Sequence, residues 1–141
     1  MAQTVLLARD GAVATITLNR PERRNALGDD LLAELGAVLG ELRDDAATRV
    51  VVVTGAPPVF SAGAEAGLKR TMSAAERREA FARRRSRFRR LFERVTTALE
   101  SLEQPTIAMI NGHAVGGGWG LALACDFGWA AADAEGFLER A

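Results

Sequence analysis

The chain has 141 residues, 48% of them hydrophobic, and 18 basic against 18 acidic side chains give it zero formal net charge at pH 7. That size and apolar content fit a single globular domain or a piece of a larger one, and without net charge there is no global field to gather nucleic acid or a membrane surface. A single cysteine (Cys125) excludes an internal disulfide and a single histidine (His113) a multi-histidine metal site, while the absence of a span-length apolar run or an export leader predicts a cytoplasmic, non-membrane protein.

In chain order, Thr4 to Ala8 and Ala12 to Leu18 are β-prone runs joined through Asp10-Gly11, a hairpin pattern. Pro21 closes the second run, because proline cannot continue a ladder. The spacing of Leu31, Leu35, Val38 and Leu42, widened by Leu32 and Leu39, predicts a helix from about Gly28 to Arg43 with one buried face. Val50 to Val53 is a continuous apolar run of strand length, as expected for a strand covered on both sides. A loop from Thr54 to Leu68 follows, with two prolines and the segment FSAGA.

Met72 to Glu103 reads as one long helix, interrupted near Ser73, with Phe81, Phe88, Leu91, Phe92, Val95, Leu99 and Leu102 at helical spacing. Lys69 to Arg94 holds eleven of the basic residues against three acids. A basic helix can bind RNA, but charge runs more often simply solvate a helix face, and that is the reading adopted. Gln104-Pro105 ends the helix. The strand Ile107 to Ile110 should lie parallel to Val50 to Val53, with the next helix packed behind both. It leads into Asn111-Gly112-His113, the glycines Gly116 to Gly118 and an apolar helical stretch from Trp119 to Cys125. The alternation of strands and helices argues for an α/β layered fold.

The strand–glycine turn–helix unit concentrates the chemistry. Glycines admit close approach to the backbone, and a helix's first turn leaves N–H groups unpaired in a positive potential, which suits an oxyanion or phosphate. Familiar motifs fail: a P-loop starting at Gly112 would need lysine where Gly118 stands, and a dinucleotide fingerprint starting at Gly116 would need glycine at Leu121. A G-x-S-x-G nucleophile around Ser61 would need glycine at Val59.

Three ordered segments, NRPERRNAL (Asn19 to Leu27), FSAGA with Glu65, and NGHAVGGG ending in Cys125-Asp126, resemble the crotonase family, the enoyl-CoA hydratases and isomerases. The resemblance implies a crotonase-like α/β fold, a β-β-α superhelix of the ClpP/crotonase kind, in one domain that lacks the family's C-terminal part. It implies an acyl-CoA or enoyl-CoA thioester as ligand, with coenzyme A carried by the substrate and no separate cofactor or metal. The thioester oxygen would be held by the backbone N–H groups of Ala64 and Gly117, where small residues let the carbonyl approach. CoA contacts would come from Arg24, Ala26, Ala62, Ala64, Glu65, Lys69 and Gly117, and the family assembles as trimers or hexamers. The family's aspartate is Glu65 here, and Ala66-Gly67 intervene before Leu68-Lys69. The position of the family's first catalytic glutamate is Gly120, beside the bulky Trp119, and Phe137 and Glu139 echo the segment carrying the second. A CoA- or RNA-binding remnant, or an incompetent fragment, is the alternative.

Overall fold

A computed structural model describes residues 3–65, 67 and 71–137. The expected hairpin is β1 (Val5–Asp10) and β2 (Val13–Leu18), antiparallel with Asp10 opposite Val13. Its turn contains Gly11 at φ 58°, in the region that costs glycine least. β1 runs two residues beyond the predicted Ala8, because the tight turn lets pairing continue to Asp10. One 3-10 turn, Pro21–Arg23, precedes α1 (Asp29–Arg43). Gly28 caps α1 and two aspartates occupy its first turn, a favourable place for negative charge. Leu31, Leu32, Leu35, Leu39 and Leu42 are buried; the residues expected only to widen the stripe are therefore part of its centre, and Val38 is half-buried.

β3 (Val50–Gly55) runs parallel to β2 on one side and to β4 (Thr106–Ile110) on the other, with Val52 opposite Thr15 and Ile107. Between them α2 spans Ala74–Glu100. The interruption near Ser73 is the start of this helix. The Ser73 hydroxyl accepts from the Glu76 amide at 3.2 Å, and the Ser73 amide donates to the Glu76 carboxylate at 2.7 Å, a reciprocal cap. The helix is thus shorter at both ends than Met72 to Glu103.

After β4 come β5 (Ala114–Val115), α3 (Gly117–Leu123), β6 (Phe127–Ala130) and β7 (Gly136–Phe137). α3 begins two residues before the predicted Trp119, so two of the three glycines are helical rather than part of the turn. The main sheet has the order β1-β2-β3-β4-β6, and β5 pairs with β7 in a small second sheet. Ala14, Ile16 and Leu18 of β2, Val51 and Val53 of β3 and Ala108 of β4 share one core with the α1 leucines, with Val95 and Leu99 of α2 and with Leu121 of α3. Each buried leucine contributes roughly 1.5–3 kcal/mol.

The opposite sheet face is covered less than the apolar run of β3 led one to expect. Among the described residues Val50 and Val52 are half-buried while Val51 and Val53 are buried. Toward the β6 edge the same face carries Met109 beside Trp129 and Ile107 beside Phe127. Phe127 is 63% exposed and Trp129 72%. An apolar surface of this kind should bind a hydrophobic dye such as anilinonaphthalene sulfonate. Replacing Phe127 and Trp129 by serine should lower the dye fluorescence severalfold; equal fluorescence in both proteins would contradict this account of the face.

Candidate functional site

Three loop segments meet at the end of the sheet that follows β3 and β4. The first, residues 20–28, is pinned by Asn25, which is fully buried and has φ 54°. Asparagine tolerates that left-handed region better than most residues. Its side chain donates to the carbonyls of Ala56 (2.8 Å) and Val59 (2.9 Å) and accepts from the Arg20 amide (2.9 Å). Two donors and an acceptor in one short side chain are what an amide provides.

The second segment, residues 60–65, lies against the first. The Ala62 amide donates to the Arg24 carbonyl (2.9 Å) and the Leu27 amide to the Gly63 carbonyl (2.7 Å). The Ser61 hydroxyl donates to the Asn25 carbonyl at 2.8 Å and accepts from the Gly63 amide at 3.1 Å. Its proton is committed within a fully buried site, so Ser61 shapes the loop and is no nucleophile. The third segment, residues 111–118, closes on the other side: Val115 donates to the Ser61 carbonyl at 3.0 Å, and Phe60 and Ser61 both donate to the His113 carbonyl.

The glycines act here through contact distances. A Cβ on Gly63 would stand 2.5 Å from the Val115 carbonyl oxygen and 3.3 Å from the Gly117 nitrogen. A Cβ on Gly118 would stand 2.5 Å from the Ser61 carbonyl oxygen. Gly63, at φ 86°, and Gly116, at φ 54°, also lie in the left-handed region that favours glycine. The result brings the Ala64 and Gly117 backbones to neighbouring loops. Neither the Ala64 amide nor the Gly117 amide donates to a protein acceptor among the described residues.

The other residues expected to contact CoA are placed differently from one another. Arg24 is exposed on the loop rim. Ala62 is exposed, with its amide engaged by Arg24. Ala26 is buried, its amide bonded to Arg23 and its carbonyl to Gly28. Glu65 is held by Arg20 at 3.1 Å and by Arg23 at 3.7 Å, and Arg20 also reaches Asp30 at 3.4 Å. Arg23 thus faces a carboxylate of its own chain. Lys69 and Glu139 lie outside the described residues.

Phe88 and Phe92 were legible in the sequence only as part of an apolar stripe. They pack on α3: a Cβ at Gly117 would be 3.0 Å from Phe88 Cζ, and one at Gly120 would be 3.1 Å from Phe92 Cζ. The obstacle to a larger residue at Gly120 is therefore Phe92. Trp119 turns away, and a Cβ on Gly136 would lie 2.7 Å from its Cε3. At the far end of α3, Asp126 and Thr106 clamp each other: the Thr106 amide donates to the Asp126 carboxylate and the Asp126 amide to the Thr106 hydroxyl, each at 2.9 Å. Burial pushes the neighbouring Cys125 thiol up to about 11, which leaves it protonated and unreactive near neutral pH. Two surface clefts, of about 560 Å³ between α1 and α2 and about 430 Å³ near Arg49 and Pro105, touch neither Ala64 nor Gly117.

Fold and loops define an α/β protein with a mostly parallel sheet, in which the glycine-bounded loop at residues 60–65 lies against the start of a short helix. The family model described as enoyl-CoA hydratase/isomerase matches residues 8–140, and the chain belongs to that family. It is 39% identical over 132 residues to the short-chain-enoyl-CoA hydratase of Clostridium acetobutylicum, covering 93% of this chain and 48% of that protein. A probable enoyl-CoA hydratase of Mycobacterium leprae is 45% identical over 114 residues, covering 81% and 38%. Among solved structures, a monofunctional enoyl CoA isomerase from M. smegmatis matches with a TM-score of 0.78 at 38% identity, over 99% of this chain and 55% of that one. The enoyl-CoA hydratase of Bacillus anthracis gives 0.78 at 37%, over 95% and 50%. The fold is therefore crotonase-like, and the chain spans about half the length of these relatives, 48% of the first.

The network around Asn25 yields a stability prediction. Asn25→Ala strands two buried carbonyls and an amide, at about 1–3 kcal/mol for each group left unsatisfied. Denaturant unfolding should show a loss of at least about 2 kcal/mol, whereas Arg24→Ala, at an equally left-handed but exposed position, should lose much less. Equal losses would mean that the side-chain bonds of Asn25 do not hold the loops.

Proposed function

We propose that the chain binds an acyl-CoA thioester and polarises its carbonyl between the Ala64 and Gly117 amides, as a protein of the enoyl-CoA hydratase or isomerase type. The observation that carries the reading is the pair of unpaired amides on loops that Gly63 brings together. Charge that develops on the thioester oxygen when the α-carbon loses a proton, or the β-carbon gains a nucleophile, would meet donors already oriented. One such donor is worth on the order of 3–4 kcal/mol in acyl-transfer enzymes. Coenzyme A enters as part of the substrate, with no separate cofactor. Arg24 and the exposed Ala62 edge are the nearest groups on this chain for its nucleotide end, and Lys69 belongs to the same proposal. Glu65 acts by holding the loop, through Arg20 and Arg23.

The reading extends to setting and assembly. The long helix is a solvated face rather than a nucleic-acid surface, because Arg83, Arg87 and Arg89 already pair with Glu79, Asp29 and Glu93. Among the described residues no helix is long and apolar enough to cross a membrane. The protein works in the cytoplasm, self-associated through apolar surface of the kind exposed at Phe127 and Trp129.

Two variants test the site. Gly63→Ala forces the loop away from the Val115 carbonyl and the Gly117 amide, and Gly117→Val drives a branched side chain into Phe88 and Leu27. Each should abolish thioester binding measured by calorimetry, in protein shown by circular dichroism to remain folded. Binding at the affinity of the unmodified chain in both would refute the two-amide site.

Catalysis gives a separate prediction. Gly120 has no proton to transfer, and general acid–base groups contribute about 10²–10⁴-fold. Hydration of crotonyl-CoA by the 141-residue chain should therefore fall at least about 10²-fold below that of a hydratase with both glutamates. Turnover at an ordinary hydratase rate would show that the water-activating group lies elsewhere in this chain.

A further inference from the structure

Gly117 and Gly120 are three residues apart on α3 and share a face. What covers that face comes from α2. Phe88 stands over Gly117, its Cζ 3.0 Å from a Cβ built there. Phe92 stands over Gly120, its Cζ at 3.1 Å and its Cε1 at 3.4 Å from the corresponding point. The two rings are stacked, with centroids 5.3 Å apart and planes within 15°. Both are only half-buried. Their tips rest on glycine backbone, and the stack runs along α3 in the order of the glycines. The face of Phe88 turned away from Phe92 therefore lies toward the helix end where the Gly117 amide emerges. Leu27 completes the corner, at 3.2 Å from the same Gly117 position. No side chain in this group donates or accepts a hydrogen bond.

We propose that the Phe88–Phe92 stack is an acyl-recognition wall that selects flat, conjugated acyl groups, arylpropenoyl thioesters above all, over saturated acyl groups of the same size. This rests on the thioester reading of the Ala64 and Gly117 amides. With the carbonyl oxygen at those amides, the first carbons of the acyl group pass beside Gly117 and meet the face of Phe88 turned away from Phe92. Conjugation holds carbonyl, double bond and aryl ring in one plane, so the whole group can lie on that face as a third layer of the stack. A saturated linker puckers and lifts its aryl ring off. Offset aromatic stacking is favourable beyond the area it buries. Glycine at position 120 is then explained by packing: any side chain there would displace Phe92 and tilt the wall.

The test uses the unmodified chain with three probes, cinnamoyl-CoA, 3-phenylpropanoyl-CoA and free CoA, titrated by calorimetry. Cinnamoyl-CoA should bind about 3- to 10-fold tighter than its saturated counterpart. Phe88→Leu keeps the bulk and apolarity of the position but not its flat face. It should bring that ratio close to one while leaving free CoA affinity unchanged. A ratio of one in the unmodified chain, or a ratio that survives Phe88→Leu, overturns the wall and leaves the two-amide site intact. Failure of all three probes to bind removes the thioester reading and the wall with it.

Discussion

The passage of residues 61–64 between two other backbone segments, with no side chain to hold them apart, is the constraint on which the site depends. On one side Arg24 and Leu27 are bonded to that segment, and on the other Val115 is. Gly63 and Gly118 sit where either neighbour would meet a Cβ at 2.5 Å. A methyl group at either position would separate the segments by more than a hydrogen bond can stretch. Backbone sterics, with no charged group involved, therefore decide how closely residues 61–64 approach Val115 and the start of α3. Rigidity comes from the groups behind them: Asn25 and Ser61 use their polar atoms inward, and the Ala64 and Gly117 amides have no protein acceptor among the described residues. In a packed protein, a donor left unpaired while its surroundings are satisfied is a donor available to a ligand.

Charge has a smaller part than the composition of α2 suggests. The pairs Arg83–Glu79, Arg87–Asp29 and Arg89–Glu93 join side chains that are 50–79% exposed. Exposed pairs are worth between nothing and about 1 kcal/mol. They solvate the outer side of a helix whose inner side carries Val95 and Leu99 into the core. The bridge between Arg20 and Glu65 differs in kind, since the arginine is only 13% and the carboxylate 27% exposed. It ties the start of the first loop to the end of the second, immediately after Ala64. Glu65 stands where the resemblance expects an aspartate, and its carboxylate reaches Arg20 at 3.1 Å.

The sequence made the elements legible to the extent that each had a period or a punctuation mark. The hairpin had Asp10-Gly11, α1 had its leucines, and β3 and β4 were apolar runs of the right length. α2 had its stripe, and its start was written in Ser73 and Glu76, which form the cap. The strands β5 and β7 have two residues each, too few for any alternation to show. β6, with Phe127, Gly128 and Trp129, has apolar residues on its exposed face, so the usual inside-outside pattern pointed nowhere. The glycines announced close contact but could not name the atoms in contact. Ser61 for Gly118, Val115 for Gly63 and Phe92 for Gly120 are long-range partners, and nothing local in the chain encodes them. Phe88 and Phe92 had the spacing of core residues, and it took the placement of α3 to show that their ring tips end on glycine backbone.

Gly120 and Phe92 form a single contact between two helices. An acid at position 120 needs room for a carboxyl group and a polar setting that sets its proton affinity. Phe92 takes the room, and with Phe88 and Leu27 it makes the setting apolar. A carboxyl group forced into that corner would be desolvated, which favours its neutral form. It would tend to hold its proton rather than exchange it with water. The corner at Gly120 is thus given over to aromatic packing, while the loops beside it are held by backbone contacts at Gly63 and Gly118.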